Sequence, residues 1–299
     1  MHLYGQNYRP PFEAQSQILQ VTTGCSHNAC AFCAMYRMTK YTESPLEEIE
    51  ADLREIAYYR PNVTRIFLEN GDAFGLPAER LLTIAEMIHS YLPNVASIGS
   101  YASIKNIIPK TDEELETLAK AGYAHLNIGV ESGLDDVIAY LKKGTTLADA
   151  REQMHRLNEA NLPFNVNIIF ASAGPDRIEE HAIACAALVN EVQPKLISVS
   201  PIHADFGTPL FDDIASGKFK ECTLGQYVEE EILFVRQLEL KNDCGFFGQH
   251  VSNPVKVGGI LPRDKEKLIE WLEAGLSAMS PELRDSHPRK GAEGRPLYA

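Results

Sequence analysis

Six apolar, β-branched segments alternate with amphipathic helical segments along the first 200 residues, and no other feature restricts the fold as strongly. SQILQVTT, VTRIFLEN, VASIGSY, AHLNIGV, FNVNIIF and KLISVSP read as strands. Between them lie SPLEEIEADLREIAYY, PAERLLTIAEMIHSYL, TDEELETLAKAG, a helical stretch from about Leu134 to Asn158, and RIEEHAIACAALVNEV. Ser44 and Thr111 are the expected caps of the first and third helices, and Gly122 the stop of the third. Strand-then-helix repetition implies parallel strands joined by right-handed crossovers. The expected fold is α/β, a partial (β/α)6 TIM-like barrel over residues 1–205, with a C-terminal α/loop extension over 206–299 that covers it. In that extension TLGQYVEEEILFVRQLEL and DKEKLIEWLEAGLSAM read as helices, the second with Trp271 on its apolar face. FFGQHVSNPVKVGGILP, rich in Gly and Pro, reads as irregular.

In such barrels the C-terminal ends of the strands carry the chemistry. Polar residues recur there: Cys25 after the first strand, then Glu69, Ser100 and Glu131, these last three spaced 31 residues apart. The first of these opens TTGCSHNACAFCAMYR, with Cys25, Cys30 and Cys33 at C-x4-C-x2-C spacing, half of the chain's six cysteines within nine residues.

The net charge of −13 disfavours a phosphate-backbone partner, and no basic stripe offsets it. The N-terminus lacks a signal peptide pattern, and no apolar run approaches the ~20 residues that span a bilayer, so a cytoplasmic location is expected. Cysteines in that compartment argue against a disulfide framework. Cys185, Cys222 and Cys244 read as buried inert thiols, and the basic stretch from Arg284 to Arg295 as a mobile end.

Three clustered thiolates hold either zinc or an iron–sulfur cluster. Zinc would need a fourth ligand such as His27. A [2Fe–2S] cluster would need a remote cysteine. A [4Fe–4S] cluster with three thiolates leaves one iron open to a small molecule, beside which Phe32 could pack. The residues alone leave these choices open.

The CxxxxCxFC loop after the first strand, the six-unit rhythm, ENGDAF after the second strand and GVESG after the fourth together resemble the radical S-adenosylmethionine (radical SAM) superfamily. The resemblance covers roughly Gln17 to Pro201. One residue more separates the first two cysteines than the C-x3-C-x2-C spacing usual there. TPLFDD, QHVSN and LPRDK resemble a branch near the oxygen-independent coproporphyrinogen oxidase-like proteins.

That resemblance implies a [4Fe–4S] cluster ligated by Cys25, Cys30 and Cys33, with the methionyl amine and carboxylate of S-adenosylmethionine (SAM) on the fourth iron. It places Asn70, Gly71 and Asp72 at the methionyl amine, Glu131 and Ser132 at the ribose hydroxyls, and Asn167 and Ala171 near adenine. Phe32 and Ser100 complete the expected cofactor contacts, and Arg37 or Arg156 would meet the methionyl carboxylate. The implied chemistry is oxygen-sensitive: one-electron reduction of SAM gives a 5′-deoxyadenosyl radical that abstracts hydrogen. The substrate expected is a small organic metabolite or cofactor precursor. His203, Asp205, Gln249, His250, Ser252, Asn253 and Tyr101 are the polar candidates to bind it. An electron donor such as ferredoxin or flavodoxin is the implied partner, with no nucleic acid and no membrane. The alternative is a non-catalytic iron–sulfur protein for electron transfer or assembly.

Overall fold

The structure is a computed structural model that describes residues 1–5 and 7–288. Strands β1 (Gln17–Gln20) and β2 (Thr22–Thr23) replace the single first strand expected, and β3 (Thr42–Glu43) pairs antiparallel with β2. Helix α1 (Leu46–Tyr59) starts at Pro45, not through a Ser44 side-chain cap. Ser44 is instead tied through its backbone, donating to Val21 O at 2.9 Å. Next come β4 (Arg65–Glu69), α2 (Ala78–Tyr91), β5 (Ser97–Ala102), α3 (Ile104–Ile107) and α4 (Asp112–Lys120). Thr111 caps α4 as expected, in a reciprocal box with Glu114.

After β6 (Tyr123–Glu131) the expected long helix is two, α5 (Asp135–Tyr140) and α6 (Leu147–Glu159). Lys142 and Gly144 take left-handed φ of 55° and 74°, which ends the first helix before the second begins. β7 (Phe164–Phe170), α7 (Ile178–Val192), β8 (Leu196–Pro201), α8 (Pro209–Ala215) and α9 (Leu224–Gln237) follow. The segment expected to be irregular contains β9 (Cys244–Gly248) and β10 (Val257–Leu261). α10 (Lys265–Ala278) and α11 (Pro281–Arg284) close the described chain.

The fold is α/β, a mostly parallel sheet with helices that does not close into a ring. Among the described residues two compact units divide it: those of 1–28, 35–128 and 152–165 form one, and 29–34, 129–151 and 166–288 the other. In the first, β1, β4, β5 and β6 lie side by side and parallel. Helix α1 buries Ile49, Leu53 and Ile56, and α2 buries Leu81, Ile84 and Ile88, at helical spacing over the sheet core of Leu19, Ile66, Leu68 and Ile98. Each such side chain contributes about 1.5–3 kcal/mol on burial. Arg65, Phe67 and Glu69 alternate onto one face of β4; Phe67 meets Tyr101 edge-on at 5.4 Å.

In the second unit β7, β8 and β9 continue in that order. β9 runs parallel to β8, and β10 returns antiparallel on β9. The extension thus adds strands as well as helices. Helix α9 buries Tyr227, Val228, Phe234 and Val235, with Phe234 at 5.1 Å from Phe170 of β7. Cys185, Cys222 and Cys244 are buried, as read from the sequence. Trp271 is not on a covered face: it is 44% exposed, with Lys267 Nζ 4.5 Å above its ring. Of the basic stretch, residues 289–299 lie outside the described residues, while Arg284 belongs to α11 and pairs with Glu229 at 2.8 Å.

Candidate functional site

Three of the sequence-predicted site residues share an uncommon backbone geometry. Asn70 directly after β4, Glu131 ending β6 and Ala171 directly after β7 have φ of 73°, 71° and 63°. Left-handed conformations cost a non-glycine residue on the order of 1–2 kcal/mol and persist only where surroundings over-determine them, most often at functional sites.

In the first unit, Cys25 and Ser26 lie on the loop between β2 and β3. Asp72 is 1% exposed; its carboxylate accepts from the backbone N–H of Ser26 at 3.2 Å and from the Ser26 hydroxyl. Burial raises the Asp72 carboxyl above its usual range, while Ser26 and Asn106 hydrogen bonds oppose the rise. Gly71 N donates to Gly24 O at 3.1 Å, so its backbone lies flat against the cysteine loop. A Cβ at Gly71 would stand 2.7 Å from Tyr36 Cε2 and 3.0 Å from Cys25 Cβ, so only glycine permits this approach. Asn70 donates from Nδ2 to Thr22 O at 3.0 Å, yet its Oδ1, like Glu69 Oε1, is a buried acceptor with no hydrogen-bond partner. Burial pushes the Glu69 carboxyl up to about 7, against the opposing charge of Arg9. His27 Nδ1 lies 3.3 Å from Lys105 Nζ.

Ser100 is fully buried and donates to the carbonyl of its neighbour Tyr101 at 2.7 Å. It sits inside β5, two residues short of its end, whereas Glu69 and Glu131 are the last residues of their strands. Arg156 is engaged in a local network, donating to Asp112, to Gln153 and to Lys110 O. Arg37 is exposed.

In the second unit, residues Ala31 to Ala34 of the cysteine loop are held by four hydrogen bonds. Ala31 N donates to Leu141 O at 2.9 Å, and Leu210 N to Ala31 O at 2.9 Å. Asp205 N donates to Phe32 O at 3.0 Å, and Asp205 Oδ2 accepts from Ala34 N at 2.6 Å. His203 Nε2 lies 2.9 Å from the other Asp205 oxygen. Phe32 packs on an apolar cluster that includes Leu141, Ile169, Ala171 and Leu210. Asn167 is half-buried on β7. His250 Nδ1 lies 2.6 Å from Ser252 Oγ, and Asn253 donates to Val199 O at 3.1 Å.

Glu131 is 7% exposed, and Lys143 Nζ donates to its Oε1 at 2.8 Å. Burial alone would lower the lysine's affinity for its proton, but Glu131 and the thiols of Cys30 and Cys33 outweigh it and hold the ammonium above its ordinary range. Sequence reasoning missed Lys143. In KKGTT it resembles any surface turn, and its pairing with a carboxylate twelve residues upstream has no helical or strand period. Reasoning also missed His181 on α7 and Glu230 on α9, which are wholly buried and hydrogen-bonded to each other.

Among the described residues no group of three His, Cys, Asp or Glu side chains is placed to hold a metal ion. No disulfide joins any of the six cysteines, and Cys25, Cys30 and Cys33 are half-buried. Two unpaired buried acceptors adjoin Gly71, where an amino group would find partners.

The sequence profile described as the radical SAM superfamily matches residues 19–184. The chain belongs to that superfamily. It is therefore a radical SAM enzyme, with a [4Fe–4S] cluster and SAM as its cofactors. A tRNA-2-methylthio-N(6)-dimethylallyladenosine synthase from Hahella chejuensis is 23% identical over 61% of this chain and 42% of the relative. The synthase of the same name from Pseudoalteromonas atlantica is 23% identical over 71% of this chain and 46% of the relative. The chain thus spans less than half the length of these curated relatives. They do not support the narrower expectation of a branch near the coproporphyrinogen oxidase-like proteins.

Among solved structures, the radical S-adenosylmethionine methyltransferase TsrM from Kitasatospora setae, with cobalamin and [4Fe–4S] cluster bound, is similar at a TM-score of 0.55. It is 18% identical, covering 68% of this chain and 39% of its own. Methylornithine synthase (PylB) matches at 0.53 with 14% identity, covering 75% of this chain and 63% of its own. At these identities both show the fold. Among the described residues no helix is long and apolar enough to cross a membrane.

Proposed function

We propose that the chain uses Cys25, Cys30 and Cys33 to hold the cluster and the ends of its strands to hold SAM, for hydrogen abstraction from a small organic metabolite or cofactor precursor. The bound cofactors supply, on one-electron reduction, a 5′-deoxyadenosyl radical, for which a ferredoxin- or flavodoxin-like donor is the partner. The single observation that carries the reading is the pair of unpaired buried acceptors, Glu69 Oε1 and Asn70 Oδ1, beside the glycine that touches Cys25. A buried acceptor without a donor is destabilising by about 1–3 kcal/mol, and a methionyl ammonium supplies the donors.

Asp72 keeps Ser26 and the first cysteine in place. Glu131, paired with Lys143, is an acceptor for ribose hydroxyls, and Lys143 offers the positive charge that Arg156, tied into its own network, does not. Asn167 and Ala171 line the adenine position, with Phe32 against the same apolar cluster as Ala171. His203 and Asp205 are substrate candidates, because Asp205 is anchored to the loop that carries Cys33.

The test is anaerobic reconstitution, with iron counted per chain and the electron paramagnetic resonance of the reduced protein recorded before and after adding SAM. About four irons per chain and a SAM-dependent change in the spectrum support the reading. A spectrum indifferent to SAM overturns it.

A second substrate reading, modification of a tRNA base, is favoured by the printed activity of the curated relatives. The net charge of −13 favours the small molecule. Retention of tRNA at 150 mM salt, an ionic strength of about the physiological value, would select the tRNA reading. No retention would select the small molecule.

A further inference from the structure

Glu230 and His181 form a dyad with no exposed surface, and every hydrogen-bonding atom of the two is spoken for. One Glu230 oxygen bonds His181 Nδ1; the other accepts from the backbone N–H of Ala171 at 2.7 Å. His181 Nε2 lies 2.9 Å from Ser132 Oγ, 3.3 Å from Ser172 Oγ and 3.4 Å from Cys185 Sγ. Ser132 Oγ in turn accepts from Leu134 N at 3.0 Å, and Cys185 Sγ from Gly133 N at 3.2 Å. The dyad reaches from α7 and α9 to two turns that share nothing in sequence, the one after β6 and the one after β7. Those turns contain Glu131 and Ala171, at φ of 71° and 63°.

Neither residue is a glycine, so each turn needs an external hold. For Ala171 the hold is direct, its N–H on Glu230. For Glu131 it passes through the next residue, Ser132, to His181. A core helix pair could pack without these groups; buried ionic pairs replaced by apolar residues of like volume often leave stability unchanged. Stability alone does not account for their presence in the core. Burial opposes protonation of His181, yet Cys185 and Glu230 outweigh it and raise the imidazole above its usual range.

We infer that Glu230 and His181 are positioning residues for SAM, acting through Ala171 and Ser132 to hold both turns in the one backbone conformation that receives the cofactor. The inference rests on the assignment of Glu131, Ser132 and Ala171 to SAM given above. Neither dyad residue touches the cofactor, and no proton transfer to it is involved.

The test compares four reconstituted proteins: wild type, the double variant His181→Phe with Glu230→Leu, the single variant Glu230→Gln, and Glu231→Gln as a neighbouring buried carboxylate outside the dyad. Equilibrium dialysis reads SAM affinity, iron per chain reads cluster retention, and hydrogen exchange at the amides of Ala171 and Leu134 reads the turns without cofactor. The double variant is expected to bind SAM about tenfold more weakly, or ~1.4 kcal/mol, at wild-type iron content, with both amides exchanging faster. Glu230→Gln keeps an oxygen for Ala171 N–H, and its affinity and Ala171 protection should return toward wild type; Glu231→Gln should match wild type in both. If the double variant fails to fold, Glu230→Gln against Glu231→Gln decides, since only the former is expected to speed His181-linked exchange at Leu134. Unchanged SAM affinity and unchanged exchange in the dyad variants overturn the inference alone. A wild-type protein that holds its cluster but binds no SAM overturns the cofactor assignment and the inference with it.

Discussion

Lys143 Nζ donates to Glu131 Oε1 at 2.8 Å, within a second unit that also contains Cys30 and Cys33. The lysine lies in the break between two short helices, the carboxylate at a left-handed strand end. Nothing in the local sequence of either predicts the other.

Lys143→Met leaves a buried carboxylate without its counter-charge. Removing one partner of a buried pair is destabilising by about 3–5 kcal/mol, and the 15% exposure of this lysine side chain brings the expected loss toward the lower end. Urea unfolding should show that loss. Lys143→Arg, which keeps the charge, should recover most of it, and an equal loss in both variants would contradict the role given to the charge.

Gly71→Ala inserts a methyl 2.7 Å from the Tyr36 ring and 3.0 Å from Cys25 Cβ. Overpacking of this kind typically costs about 1–3 kcal/mol, and here it is relieved by moving the residues that support the first cysteine. The variant should keep its far-ultraviolet circular dichroism and retain less iron after reconstitution and gel filtration. Full iron retention would show that the segment does not constrain the cysteine loop.

Glu231 is fully buried on α9, and burial pushes its carboxyl from 4.5 up to about 8, with the neighbouring Tyr227 opposing the rise. Both of its oxygens lack hydrogen-bond partners. The folded chain keeps this proton where the unfolded chain has released it. The stabilisation is therefore complete below pH 4.5 and is lost as pH rises toward about 8, by about 1.4 kcal/mol per pH unit. Glu231→Gln has no proton to lose. Its stability relative to wild type should rise with pH across that window and level off above it, as followed by denaturant midpoints from pH 5 to 9. A constant difference would show that Glu231 ionises normally in the fold.

The cysteine loop, the six core strands and the capping box at Thr111 were legible because each is a local signal: a spacing, a period of two or 3.6, a Thr followed three residues later by Glu. β9 and β10 were not. Their sequences, CGFFG and VGGIL, carry glycines that a strand tolerates poorly alone, and they gain their pairing from β8, some fifty residues earlier. The break at Lys142 to Gly144 was hidden because both flanks continue a helical pattern, and a left-handed Lys leaves no mark in composition. Site residues followed the same division. Glu131 was singled out as a polar strand end, and Asn70 and Gly71 by the resemblance of the segment after the second strand. His181, Glu230 and Lys143 were not, because what identifies each is a partner 12 to 49 residues away.

The most direct measurement is the yield of 5′-deoxyadenosine. Wild-type protein and Cys30→Ala, both reconstituted anaerobically with iron and sulfide, are reduced in the presence of SAM and assayed by mass spectrometry. The account predicts 5′-deoxyadenosine from the wild type and none from Cys30→Ala. Equal yields from the two proteins, or zinc in place of iron in the purified wild type, would contradict it.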